Sequence, residues 1–211
     1  MVFNEILKNL IDLIFPTHCI ECGKRSDKPL CPECEKFLSC HSWAAALPYL
    51  EKIYAVCAYK GSVRKILKEA KFRKNILYIN YLIEYYKETV KIDDKIDIII
   101  PVPLSEKRMS ERGFNQAEMI ATTIARKRNI CVYNKILDRW KDTPPLYGLP
   151  KRDRIHKLEN AFCLISPATV KNKNILLVDD ICTTGATLMS CAKLLQQSGA
   201  QSVQAFVLAK S

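Results

Sequence analysis

The 211-residue chain lacks any apolar run long enough to span a bilayer. Its three histidines, His18, His41 and His156, share no motif, so a catalytic histidine is unsupported. No Gly-Lys-Ser/Thr tripeptide follows a phosphate-type loop, which excludes a Walker nucleotide site. Neither an internal repeat nor a low-complexity tract is present. Residues 1–15 carry no unbroken apolar stretch and no small-residue cleavage site, against a signal peptide. Glu5, Lys8 and Asp12 interrupt them, while Phe3, Ile6, Leu7, Leu10, Ile11 and Ile14 recur at helical spacing. The pattern predicts an amphipathic helix over residues 1–16, docked on its own domain or lying on a membrane surface.

What is there fits one medium α/β domain with a small appendage. Hydrophobic residues make up 48%, enough to bury a core. The net charge is +11, and it is unevenly spread. Of 33 Lys/Arg and 22 Asp/Glu, residues 1–50 hold five and six; the remaining 28 and 16 leave +12 on residues 51–211. A phosphate-rich ligand or a nucleic acid would be drawn to the larger domain. Solubility alone would also explain a lysine excess.

Four of the ten cysteines form two Cys-x-x-Cys pairs, Cys19/Cys22 and Cys31/Cys34, separated by the eight residues Gly23 to Leu30. Each pair lets two thiolates face one ion, and two pairs complete a tetrahedral zinc set with no open position. The zinc would be structural. His18, Cys40 and His41 lie nearby and are read as bystanders. With no export signal, a metal site in a reducing cytoplasm fits better than disulfides. The segment around these cysteines is turn-rich and poor in large apolar residues, so it needs such a staple. We assign residues 17–48 to this zinc-binding module and 49–211 to the main domain.

In the main domain, strands are predicted at Ile53–Tyr59, Ile96–Val102, Asn174–Val178 and Val203–Leu208, with a short one at Ala161–Ile165. Helices are predicted at Ser62–Phe72, Ile76–Val90, Asn115–Lys127 and Thr187–Gln197. Lys135–Lys157 reads as a polar, proline-broken stretch. Strand–helix alternation implies a parallel sheet flanked by helices.

The chemistry concentrates in Ile175-Leu-Leu-Val-Asp-Asp-Ile-Cys-Thr-Thr-Gly-Ala-Thr187. A buried strand ends in Asp179 and Asp180, a short loop follows, and a helix opens near Ala186. Backbone amides around Gly185, the helix N-terminus, and the hydroxyls of Thr183, Thr184 and Thr187 can cradle one phosphate monoester. The acids stand at the carboxyl end of a strand, where open α/β sheets bind ligands. Paired acids there suit the vicinal hydroxyls of a ribose. Beyond the other buried strand, Lys107 and Arg108 follow the Pro101–Leu104 turn. They suit a diphosphate, or belong to a basic surface loop.

Residues 175–187 resemble the phosphoribosyl-diphosphate (PRPP) motif of type I phosphoribosyltransferases almost position for position. That resemblance implies binding through Asp179, Asp180, Thr183, Thr184, Gly185, Ala186 and Thr187, with Mg²⁺ riding on the diphosphate. Further matches are Tyr59-Lys-Gly…Leu67-Lys…Lys71-Phe72, Pro101-Val-Pro-Leu…Arg108…Glu111-Arg-Gly-Phe-Asn-Gln116, Arg139, Thr143-Pro144, Arg154 and Asn160-Ala-Phe162. With the four-cysteine module, the chain resembles the ComF family, a phosphoribosyltransferase-like group tied to natural DNA uptake. Two positions depart from the pattern. Pro145 stands where family members commonly carry Gln. Thr183 stands where 6-oxopurine enzymes of the wider superfamily carry an acid/base Asp, which argues against purine salvage.

No other general base is legible. The resemblance therefore implies a PRPP-binding protein that handles single-stranded DNA, with an active transferase to a nitrogen acceptor as the alternative. A scaffold docking a DNA-uptake helicase through its zinc module is the third reading. Cys182 could be a reactive thiol at a helix N-terminus or a small packing residue. Trp43 and Trp140 are read as packing residues. Tyr81, Tyr85 and Tyr86 are core residues by default, or a base-stacking platform.

Overall fold

The structure, a computed structural model, describes residues 18–38, 43–72, 75–89, 92, 95–141 and 161–211. The expected N-terminal helix, and Cys40, His41, Thr143, Pro144, Pro145, Arg154, His156 and Asn160, lie outside these residues.

The strongest apolar segments form the middle of the sheet. Ile98–Pro101 (β3) is buried at every position, as a strand covered on both faces must be. It pairs in parallel with Asn174–Cys182 (β7), which pairs in parallel with Ser202–Lys210 (β8). Leu50–Ala58 (β2) lies parallel to the far side of β8. Trp43–Leu47 (β1) turns back antiparallel on β2, and Cys131–Val132 (β4) closes the other edge. The six-stranded order is β1-β2-β8-β7-β3-β4. Leu137–Asp138 (β5) and Cys163–Leu164 (β6) make a separate two-stranded ribbon. β1 falls inside segment 17–48, which composition assigned to the metal module, yet it belongs to the main sheet.

Helices cover both faces. Gly61–Phe72 (α2, after the short Pro32–Glu35 helix α1) buries Val63, Ile66, Leu67 and Ala70. Ile76–Tyr86 (α3) buries Ile79, Leu82, Ile83 and Tyr86. Glu106–Arg112 (α4) follows β3 and leads to Gln116–Arg128 (α5). Pro167–Val170 (α6) precedes β7, and Ala186–Gln197 (α7) follows it. α2, α3 and α5 share one core with the cysteine module. α7 and the β5–β6 ribbon share the other.

Two local devices shape the edge that carries the site. Asn115 accepts from the Ala117 N–H at 3.0 Å and donates to the Val102 carbonyl at 3.0 Å. One side chain thus caps α5 and ties it to the end of β3. β7 runs four residues further than predicted, to Cys182, because β8 supplies partners as far as Lys210. Asp179 and Asp180 therefore lie within the strand, two residues before its end, and the loop begins only after Cys182.

Candidate functional site: a sugar-phosphate cradle and a four-cysteine cluster

The module is built from two tight turns. In the first, the Gly23 N–H bonds the Cys19 carbonyl at 2.9 Å and the Cys19 N–H bonds the Lys24 carbonyl at 2.8 Å. Gly23 takes φ +72°, a conformation that costs a side-chain-bearing residue energy. The second turn enters α1 through Pro32. Together they place the sulfurs of Cys19, Cys22, Cys31 and Cys34 within 4.8 Å of one another. Cys22 Sγ and Cys31 Sγ are 3.7 Å apart. That is too long for a disulfide, at ~2.05 Å. It matches the edge of a tetrahedron with Zn–S bonds of ~2.3 Å, about 3.8 Å. Burial opposes ionisation of Cys19, but the backbone N–H groups of Cys22, Cys31 and Glu21 pull its pKa down to about 6. The donor set fits a metal such as zinc. His18 is exposed and lies outside the cluster.

The module is bolted to the domain. Leu30 and Leu38 pack into the α2–α3 core. Glu21 accepts from Ser62 Oγ at 2.9 Å and from Lys65 Nζ at 3.0 Å. Tyr81 donates to Glu35 at 3.0 Å, and Tyr85 reaches the Leu38 carbonyl at 3.5 Å. Tyr86 is fully buried. The three tyrosines are therefore packing and docking residues, not a stacking platform. Burial, then the Glu35 carboxylate, holds the Tyr81 phenol well above its usual range.

At the other end of α2, Lys71 Nζ meets Asp180 Oδ2 at 2.6 Å. Asp180 donates its N–H to Asp179 Oδ1 at 2.8 Å. The acids address opposite faces of the sheet: Asp180 pairs with α2, while the Asp179 charge reaches Cys191 on α7. Asp179 is half-buried, and its pKa is pushed up to about 7 by desolvation and then by the neighbouring Asp180. Lys71 pulls the other way.

Past the acids, Asp179, Thr183, Thr184, Gly185, Ala186 and Thr187 line a small cavity of about 40 Å³. Gly185 takes φ +79°, and a Cβ there would run into Leu47 Cδ1 of β1. The first hydrogen bond of α7 runs from the Met189 N–H to the Gly185 carbonyl at 2.8 Å. The Ala186 N–H bonds Thr184 Oγ1 at 3.4 Å, while amides 187 and 188 have no intrahelical acceptor and face the cradle end of the helix. Lys210 Nζ clamps the Thr183 carbonyl at 2.8 Å. Such a cradle offers amides, hydroxyls and a dipole end to one phosphate.

Cys182 is 2% exposed, and burial raises its thiol pKa. It packs and does not react. Trp140 is 62% exposed, so the expected packing role fails: past β5 the chain buries Arg139 and turns the next side chain out to solvent.

The β3 edge supplies the rest. The Val102 N–H bonds the Val178 carbonyl at 2.8 Å, so the turn after β3 stands beside the acids. Ser105 caps α4, which carries Lys107, exposed, and Arg108, half-exposed. Gln116 is 2% exposed; it accepts from Arg112 at 3.2 Å, and its Nε2 has no acceptor among the described residues. Lys71 was missed by the sequence reading as a site residue, although it lies in the quoted Lys71-Phe72 match.

A family described as phosphoribosyl transferase domain matches residues 155–211. Competence protein ComFC of Bacillus subtilis is 30% identical over 200 residues, 92% of this chain and 78% of that protein. The chain belongs to the ComF family. DNA utilization protein YhgH of Escherichia coli is 27% identical over 92% of this chain and 90% of its own length. Competence protein F of Haemophilus influenzae is 39% identical over 116 residues, and the chain spans only 51% of that relative. Among solved structures, adenine phosphoribosyltransferase from Thermoanaerobacter pseudethanolicus is similar at a TM-score of 0.41 and 16% identity, over 85% of this chain and 99% of that one. No helix among the described residues of this ComF chain is long and apolar enough to cross a membrane.

Proposed function

We propose that this ComF-family protein binds PRPP with Mg²⁺ at the β7 edge and handles single-stranded DNA for natural transformation in the cytoplasm. One observation carries the reading: Asp179, near the end of β7, lines the Thr183–Thr187 cradle, with Asp180 next to it in the strand. The cradle takes the 5-phosphate, and the acids take the ribose hydroxyls. Lys107 and Arg108, on the adjoining edge, take the diphosphate, on which Mg²⁺ supplies charge neutralisation. Zinc in the cysteine cluster is structural, since four protein ligands leave no open position. A DNA track is supported by the exposed Lys60, Arg64 and Lys68 along α2 and by Arg126 and Lys127 at the end of α5. The names of the relatives, which speak of competence and DNA utilization, point the same way. A DNA-uptake helicase is the protein partner this reading expects.

Titration of Mg²⁺–PRPP on the wild type and on Asp179→Ala/Asp180→Ala tests the ligand. Binding by the first and none by the second is expected; silence from the wild type sinks the reading. Fluorescence anisotropy with oligonucleotides at low salt tests the DNA arm, which fails if no salt-sensitive binding appears.

A second reading, transfer of phosphoribose to a nitrogen acceptor with release of diphosphate, gains one observation. A carboxyl with a pKa near 7, such as Asp179, is suited to accept a proton at neutral pH. Diphosphate release across a panel of bases and amines decides it; none with any acceptor leaves only binding.

A further inference from the structure

We propose that Lys71 is a positioning residue of the sugar-phosphate pocket, acting on the ligand through Asp180 and not by direct contact. The inference rests on the reading of the β7 edge as a PRPP site. Lys71 Nζ lies 2.6 Å from Asp180 Oδ2, and the two side chains keep only 13% and 9% of their exposure. At that separation and burial each charge is the main compensation of the other, and removing one leaves its partner stranded.

The lysine is held from behind. Ala70, Leu67, Ile66 and Val63 are buried beneath α2, which fixes the height of its last turn over the sheet. The start of the helix is gripped by Glu21 of the cysteine module through Ser62 and Lys65. The Asp180 carboxylate is thereby pinned from α2, while Asp179 is pinned through the Asp180 N–H. Asp179 lines the cavity and is held through the Asp180 N–H, so pinning Asp180 fixes the strand end that presents it, whereas strand geometry alone would leave both carboxylates free to rotate about χ1 and χ2.

The test is a mutant cycle read by calorimetric titration of the full-length, metal-loaded protein. Its ligands are ribose 5-phosphate and Mg²⁺–PRPP. Lys71→Met is expected to weaken both ligands by a similar factor, about tenfold. Lys71→Arg should recover most of that loss. In an Asp180→Asn background, Lys71→Met should change affinity by less than about twofold, because the group it acts through is gone.

Wild-type affinity in Lys71→Met would overturn the proposal. So would a loss confined to PRPP, which would mean a direct contact with the diphosphate. An equal loss in both backgrounds would overturn it as well. Should Lys71→Met fail to fold, Lys71→Arg and the Lys71→Met/Asp180→Asn pair, which buries no lone charge, carry the same test. If the wild type binds neither ligand, the PRPP reading itself falls and takes this inference with it. If the wild type binds and the cycle fails, only the role of Lys71 falls.

Discussion

The cysteine cluster and the sugar-phosphate cradle sit at opposite ends of α2, and they are built on opposite principles. The cluster is local: its four ligands come from sixteen consecutive residues, Cys19 to Cys34, and two tight turns suffice to bring the sulfurs together. It is also closed, with every position of a tetrahedron supplied by protein. The cradle is assembled. Its acids come from β7, its amides from α7, Leu47 wedges it from β1, and Lys71 reaches it from α2. It is open, with a small cavity of about 40 Å³ at its mouth. A closed local site can serve as a staple. An open assembled one is free to exchange a ligand, and it inherits every change in the elements around it.

The sharpest way to break the contrast is to remove the staple. Cys31→Ser, or prolonged chelation, is expected to unfold the module and lower the melting temperature of the whole chain, since Leu30 and Leu38 would leave the α2–α3 core. Scanning calorimetry checks it. An unchanged melting temperature would show that the module is an appendage and not a staple.

Gly185→Ala comes next. A methyl there meets Leu47 Cδ1 and forces a left-handed φ on alanine, at a cost of about 1–2 kcal/mol for the backbone. Denaturant unfolding should show that loss, and PRPP affinity should fall with it. Leu47→Ala in the same chain should relieve the steric part and leave the backbone part.

The pH response is smaller and more specific. Asp179 has a folded-state pKa of about 7 against an ordinary value of 3.8. The folded chain therefore holds this proton more tightly than the unfolded chain does. The resulting stability is complete below the ordinary value and is lost as pH rises through about 7. Asp179→Asn should flatten that slope in unfolding experiments run from pH 4 to 8. Hydroxyl recognition needs the ionised acid, so PRPP affinity should rise more steeply with pH in the wild type than in Asp179→Asn.

The smallest effect is expected at the seam. Tyr81→Phe removes the hydrogen bond to Glu35 and should cost about 1 kcal/mol, with PRPP affinity unchanged. A change in affinity there would mean that the two ends of α2 communicate.

Much of the fold was legible. Ile98–Ile100 and Ile175–Val178 are apolar without interruption, which only a strand buried on both faces explains. Val63, Ile66, Leu67 and Ala70 fall on one helical stripe, and α2 appears within one residue of its predicted start. β1 was not foreseen, because Trp43-Ala-Ala-Ala-Leu47 carries no alternation and becomes a strand only by pairing with β2. α4 was hidden among charged residues, and its start is marked only by the Ser105 cap. At the site, the run from Asp179 to Thr187 could be read directly, while Lys71 stood only within a family match, with nothing to mark it as a partner of Asp180.

The sequence by itself determined two local groupings, because Cys-x-x-Cys pairs and a strand-acid-loop-helix run bring their groups together through short-range backbone geometry. Only the tertiary structure decided which lysine neutralises Asp180, that Asp179 sits near neutral pKa, and that a methyl on Gly185 would meet the tip of Leu47. Those properties depend on distance and on exclusion of water between segments far apart in the chain, and neither quantity is written in the order of residues.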